Sequence, residues 1–185
     1  HQQMTGEAAS RSRLVIPEEQ MELLREVAKL NKNIITLIFS GRPLELQEIS
    51  NLSKAVMYVW YPGCECGNAV SDVLFGKQEP GGRLPMSFPY TTGQEPAYYN
   101  RFRTGRPNNG TLEQGFVNGF IDQIDRNLYP FGFGLTYTEF EYSPVSLDST
   151  KLSKDKKITA KVTVTNKGNR AGTETVQMYL TDCYG

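Results

Sequence analysis

The sequence predicts an α/β fold built on a mostly parallel sheet, followed by an incomplete β-sandwich segment. Three observations carry this. Two short apolar runs, residues 34–39 and 55–60, alternate with stretches whose apolar residues recur at helical spacing, which is the strand–helix–strand signature of α/β proteins. Right-handed crossovers place such strands side by side in one sheet. Beyond about Tyr142 the apolar period changes to two, as in strands with one buried face.

Residues 1–16, HQQMTGEAASRSRLVI, have the small, polar composition of a loop. Pro17 fits a first helical position, Glu18 and Glu19 complement the positive end of the macrodipole, and Leu23, Leu24, Val27 and Leu30 form the expected buried stripe. A helix over residues 17–30 follows. Residues 34–39 read as a strand buried on both faces, with the loop Ser40-Gly41-Arg42-Pro43 behind it, and residues 45–52 as a short helix. Residues 55–60 read as a second such strand, ended by Pro62 and Gly63. From Asn68, the expected N-cap, Ala69, Val70, Val73 and Leu74 share one face of a helix of about two turns, and Gly76 stands where a C′ glycine would stop it. Glu79-Pro80-Gly81-Gly82 has turn chemistry, and residues 86–88 are expected to return as a third strand before Pro89. In such a sheet the loops after the carboxyl ends of the strands build the site. Those loops are residues 40–43 and 61–67.

Residues 94–125 are too long for an ordinary connector, and loops of that length are functional or disordered. Tyr98, Tyr99, Phe102, Phe116 and Phe120 argue for packing within it, with disorder as the alternative. Residues 128–135 then set Tyr129, Phe131 and Phe133 alternating around glycine. In the last part, residues 158–165 and 176–181 alternate apolar and polar side chains, separated by the turn Asn166-Lys167-Gly168-Asn169. A complete sandwich of this kind needs about seven strands, so the segment is expected to be the start of one.

The composition excludes several classes of function. A net charge of zero and a pI of about 6.8 leave no electrostatic case for nucleic acid or an anionic membrane as partner. No run reaches membrane-spanning length, and no signal-peptide pattern is present. Ten tyrosines and nine phenylalanines suit a carbohydrate-active protein, but a packed β-rich core accounts for most of them. Cys64, Cys66 and Cys183 have no histidine near them, so a four-ligand zinc site is not expected and free thiols are. Gly81-Gly82-Arg83 lacks the strand–turn–helix context and the Lys-Ser/Thr pair of a phosphate loop. No cofactor and no metal are expected.

Residues 60–89, WYPGCECGNAVSDVLFGKQEPGGRLPMSFP, resemble the C-terminal α/β-sandwich domain of glycoside hydrolase family 3, most closely the bacterial periplasmic β-glucosidase type. FSGRPLEL at residues 39–46 and LYPFGFGLTYTEFEY at residues 128–142 point the same way. VTNKGNRAGTETVQMYL at residues 164–180 looks like the opening of that family's fibronectin-III-like domain. The resemblance implies the second part of the sandwich domain over residues 1–141 and the first strands of a fibronectin-III-like domain over residues 142–185. It also implies that an N-terminal barrel and the first half of the sandwich belong to a longer parent, periplasmic or secreted, whose export signal would lie upstream.

Retaining β-glycosidases need two carboxyl groups about 5 Å apart. In the resembled family the nucleophile is an aspartate of the barrel, and the acid/base is a glutamate on the loop before an (L/I)-P-x-x-Q helix start. Glu7 stands at that position in MTGEAASRSRLVIPEEQ and is the only carboxylate of the loop. Its alternative is a solvated carboxylate near Arg11 and Arg13, whose charges would lower its pKa rather than raise it. Arg42 would contact sugar or brace loop carbonyls, Trp60 would stack on a sugar or sit in the core, and Glu65 stands near the strand end. The function expected is that of a fragment of an exo-acting retaining β-glucosidase acting on a β-linked oligosaccharide or glucoside, inactive without its barrel partner. The alternatives are a non-catalytic carbohydrate-binding or interaction module and a structural scaffold. Uncovered apolar faces on a partial domain also predict association, so a homo-oligomer is a further expectation.

Overall fold

The computed structural model describes residues 8–102, 105–108 and 115–181. The chain divides into two compact units. One comprises residues 1–67, 83–133 and 179–185, the other residues 68–82 and 134–178.

The first unit is built on helix α1 (Glu18–Leu30), strand β1 (Ile35–Ile38), helix α2 (Gln47–Leu52) and strand β2 (Ala55–Tyr58). Pro17 stands one place before the helix instead of at its first position, because its carbonyl accepts the N–H groups of Gln20 and Met21. The buried stripe of α1 is also not the expected one. Met21 and Ala28 are buried with Leu24 against the core, while Leu23, Val27 and Leu30 face outward. Both sets lie at helical spacing, and the Arg25 guanidinium, bound to Glu48 of α2 at 2.6 and 2.9 Å and to Glu18, sides with the first.

Strands β1 and β2 pair in parallel with Ile35 opposite Ala55 and Ile38 opposite Tyr58. The second strand is shorter than the apolar run, since Trp60 leaves the extended region with φ +57°. Neither is covered on both faces. Only Ile38 is buried in β1, and Ile35 and Phe39 are each 54% exposed. A continuous apolar run signals that both faces are to be covered, yet no third strand joins β1 or β2 among the described residues. The expected third strand is a single antiparallel bridge between Phe88 and Tyr129. Pro85 and Pro89 flank it, and without N–H groups they cannot extend a ladder. The core of the unit gathers Met21, Ile38, Leu44, Leu46, Ile49 and Phe88.

Parts of the long stretch after residue 94 are tied down. Gln94 closes a capping box with Thr91 and donates to the Ile124 carbonyl at 2.8 Å, Arg101 makes a two-pronged ion pair with Asp125 at 2.9 and 3.0 Å, and Tyr99 stacks on Phe131 at 4.6 Å. Phe102 and Phe116 are exposed.

Helix α3 (Cys66–Leu74) begins two residues before the expected cap at Asn68, because the Cys64-Glu65 turn lets Cys66 donate to the Gly63 carbonyl. It ends as expected, with Gly76 at φ +73°, a conformation that other residues adopt only under strain. No residue of α3 is buried. In the second unit the Tyr137 hydroxyl donates to the Val73 carbonyl at 2.7 Å, and Arg170 lies over the Tyr137 ring while donating to the Gly76 carbonyl. Two antiparallel pairs follow: β3 (Phe140–Tyr142) with β6 (Val164–Asn166), and β4 (Ser146–Leu147) with β5 (Ala160–Lys161). The expected strand over residues 158–165 is thus split, since its two ends pair with different partners. Residues 176–181 form no strand, and no partner strand is present for them among the described residues.

Candidate active site

Because β1 and β2 are parallel, the loops at their carboxyl ends, residues 40–43 and 61–67, emerge on one side of the sheet. Ser40 shapes the first loop: its hydroxyl donates to the Arg42 carbonyl at 3.1 Å and accepts the Arg42 N–H at 3.4 Å. The Tyr58 hydroxyl, from the end of β2, donates to the same carbonyl. Burial pushes the Tyr58 phenol above its ordinary pKa, partly offset by Ser40 and the Arg42 charge, so it stays protonated as a donor. The loops meet at Gly41, where any side chain would run into the Tyr61 ring.

A third segment is fastened onto these loops. The Arg42 guanidinium donates through Nη1 to the Ser10 hydroxyl at 2.6 Å and to the Arg11 carbonyl at 2.8 Å. Three residues on, Leu14 is held through both main-chain groups. Its N–H reaches Thr92 Oγ1 at 2.9 Å, and its carbonyl accepts the Glu45 N–H at 2.7 Å. Glu45 locks the arrangement by accepting the Thr92 N–H and hydroxyl, each at 2.6 Å. At the head of the segment Ala8 holds φ +56°. A non-glycine residue there is strained and persists only where its surroundings over-determine it.

Of the residues singled out from sequence, Glu7 lies outside the described residues and immediately precedes this fastened segment. Arg42 contacts protein groups, as described. Trp60 is half-buried, its ring edge-to-face with Tyr58 at 4.8 Å and with Phe88 at 6.0 Å. Tyr58 thereby joins Arg42, through its hydroxyl, to Trp60, through its ring. Glu65 is exposed on the turn before α3. Sequence reasoning missed Ser10 and the Tyr58 hydroxyl. Ser10 is one small polar residue among several, and Tyr58 read as part of an apolar strand. The only signal available was the positive charge of Arg42, which needs acceptors near it.

Two cavities open in the same unit. One of about 330 Å³ is lined by residues including Arg11, Arg13, Glu45 and Tyr90, and one of about 250 Å³ by residues including Gln94, Tyr98, Arg101 and Asp125. Neither is lined by Arg42, Trp60 or Glu65. Among the described residues no group of three metal-ligating side chains converges, Cys64 and Cys66 are free, and no helix is long and apolar enough to cross a membrane.

A parallel strand pair with a polar segment fastened at its carboxyl ends defines an α/β domain whose strand-end loops lie on the side where such sheets bind ligands. The chain belongs to glycoside hydrolase family 3: residues 1–137 match the family's model for the "Glycosyl hydrolase family 3 C-terminal domain". Over 181 residues it is 42% identical to a periplasmic β-glucosidase of Salmonella typhimurium, covering 98% of this chain and 24% of that protein. It is 38% identical over 179 residues to a β-xylosidase of Formosa agariphila, covering 97% of this chain and 24% of that protein. The structure superposes on a β-glucosidase from Listeria innocua crystallised in complex with glucose, with a TM-score of 0.85 and 40% identity over 90% of this chain and 23% of that one. The chain therefore spans about a quarter of the length of the curated relatives it matches.

Proposed function

We propose that this chain is part of an exo-acting retaining β-glucosidase that hydrolyses terminal non-reducing β-D-glucosyl residues, and that it supplies the acid/base side of the cleft through Glu7. The observation that carries the reading is the fastening of residues 8–14, directly after Glu7, to the loops at the carboxyl ends of the parallel strands. A general acid must be held within hydrogen-bond reach of the atom it protonates, and a loop supplies that only when it is tied to a rigid element.

In this reading a barrel domain of the parent provides the nucleophile about 5 Å from the Glu7 carboxyl. Glu7 gives its proton to the glycosidic oxygen as the bond to the anomeric carbon breaks and the nucleophile bonds to that carbon. As a carboxylate it then takes a proton from the water that releases the sugar. Arg42 supports the cleft from its protein side, and Trp60, just before the second loop, and Glu65, on it, are the candidate sugar contacts. The β-glucosidase names among the relatives support glucose as the sugar released. The periplasmic relative supports a periplasmic or secreted location. The same reading assigns residues 1–141 to the sandwich domain, with a mostly parallel sheet in the parent, and residues 142–185 to the start of a fibronectin-III-like domain. The partners are then the barrel and a β-glucoside, and the uncovered apolar faces invite a homo-oligomer.

Glu7→Ala in the full-length protein tests this. Hydrolysis of cellobiose should fall by about 10²–10⁴-fold, glycosylation by a dinitrophenyl glucoside much less, and azide should restore turnover of the latter as a β-glucosyl azide. Wild-type rates on both substrates would leave the chain a non-catalytic carbohydrate-binding or interaction module.

A further inference from the structure

We infer that the loop between β4 and β5 is a docking surface for an anionic lipid bilayer, an inference that stands apart from the reading of Glu7. Over the whole chain the charges cancel, but in this loop they do not. Residues 148–161 carry Lys151, Lys154, Lys156, Lys157 and Lys161 against Asp148 and Asp155, five positive charges against two and hence a net charge of +3. Every residue from 144 to 157 is exposed. The other two lysines of this unit are paired, Lys77 with Asp72 at 3.1 Å and Lys167 with Glu141 at 3.3 Å. The five lysine side chains of residues 148–161 make no ion pair or hydrogen bond among the described residues, so their field is directed into solvent.

The loop is a shaped element. At its base the Asp148 N–H donates to the Thr159 carbonyl at 3.2 Å, and the Asp148 carboxylate accepts the Thr159 N–H at 2.9 Å, which engages that charge away from the lysines. Within it, the Ser149 hydroxyl donates to the Lys151 carbonyl at 2.9 Å and accepts the Lys151 N–H at 3.1 Å, and the Lys156 N–H donates to the Ser153 carbonyl at 3.0 Å. Its chemistry selects the partner. Carboxylate and phosphate groups of a shaped ligand are gripped by the planar fork of arginine, and stacked bases need aromatic side chains; residues 148–161 contain neither. Lysines are hydrated point charges, which suit an extended charged surface. Among them Leu152 is 71% exposed. A bilayer interface takes up an apolar side chain flanked by cations, whereas a hydrated polyanion offers it nothing. Each lysine close to an anionic leaflet raises partitioning about fivefold, so a net charge of +3 amounts to about 10²-fold.

Co-sedimentation of the full-length protein with vesicles tests this. Partitioning onto vesicles of equal parts phosphatidylcholine and phosphatidylserine should exceed that onto phosphatidylcholine alone by about 10²-fold. The excess should vanish at 1 M salt, where the Debye length falls to about 3 Å. Replacing Lys151, Lys154, Lys156 and Lys157 together by Ser should abolish the excess with the melting temperature unchanged, because none of these side chains is buried. Replacing the same four by Arg keeps the charge and should keep the binding. Each single Lys→Ser should cost about fivefold, whichever position is chosen. Leu152→Ser should cost about tenfold at every salt concentration, since its contribution is apolar. Equal partitioning onto the two kinds of vesicle, or a fourfold Ser variant that binds as well as wild type, overturns the inference. Loss of binding in the Arg variant overturns it too, because a shaped site and not a field would then be at work. If the protein binds soluble polygalacturonate through these lysines and leaves the vesicles unbound, the partner is a soluble polyanion and the inference is overturned.

Discussion

Phe88 is where the two halves of the first unit's chain are knit, and Phe88→Ala should cost more than any other single truncation there. Its ring is 0% exposed and sits edge-to-face with Tyr58 at 4.8 Å and Trp60 at 6.0 Å, while its main chain exchanges hydrogen bonds of 2.8 and 2.9 Å with Tyr129 and Leu128. The main-chain bonds survive truncation. What is lost is the transfer energy of the ring, about 3 kcal/mol at full burial, together with a cavity term of about 24 cal/mol per Å³ of unfilled space. The sum falls in the range of about 3–5 kcal/mol typical of Phe→Ala in a core. Against a total stability of about 5–15 kcal/mol that is a large share. At about 2 kcal/mol per molar urea it moves the midpoint down by about 2 M. The assay is built in, because Trp60 is the single tryptophan of the chain and lies against Phe88, so its fluorescence reports this unit alone. Phe88→Leu, which keeps most of the apolar volume and loses the aromatic geometry, should fall between. A Phe88→Ala midpoint within about 0.5 M of wild type would show that the ring is not the keystone of the unit and that the aromatic cluster repacks without it.

Two further outcomes are expected. The 185-residue chain by itself should leave aryl β-glucosides intact, since a general acid alone forms no glycosyl-enzyme intermediate; turnover by rigorously purified chain, abolished by Glu7→Gln, would refute the assignment of the nucleophile to another domain. The Arg25 hydrogen bond holds the Glu48 carboxyl below its ordinary value of 4.5, so Glu48 contributes stability above that value and loses it as pH falls through the lowered one. Glu48→Gln should therefore be less stable than wild type at neutral pH and match it in acid, read as melting temperatures across that range; a gap that widens in acid would contradict the sign.

Much of the fold up to α3 was legible because the signals there are local. Glu18 and Glu19 at a helix start, Gly76 at a helix end and the apolar run through Ile38 each act within a few residues, and α1, α3 and β1 appear where these point. What failed was whatever depends on a distant partner. Leu23 and Met21 both lie at helical spacing, and only the pairing of Arg25 with Glu48, 23 residues away, turns the Met21 face inward. Residues 86–88 are apolar enough for a strand but are held to one bridge by the flanking prolines. The alternation over residues 158–165 is real, yet strand length was set by two separate partners, β3 and β4. The same holds for the site. Loops 40–43 and 61–67 were foreseeable from parallel strand order, whereas the grip of Arg42 on Ser10 spans 32 residues and leaves no periodic trace.

The central proposal is that Glu7 is the acid/base of the parent enzyme, and azide rescue of Glu7→Ala in the full-length protein tests it most directly. Azide needs no general base, so it should restore turnover of a dinitrophenyl glucoside and yield a β-glucosyl azide. Failure of azide to rescue Glu7→Ala, while an alanine variant of another carboxylate is rescued, would contradict the proposal.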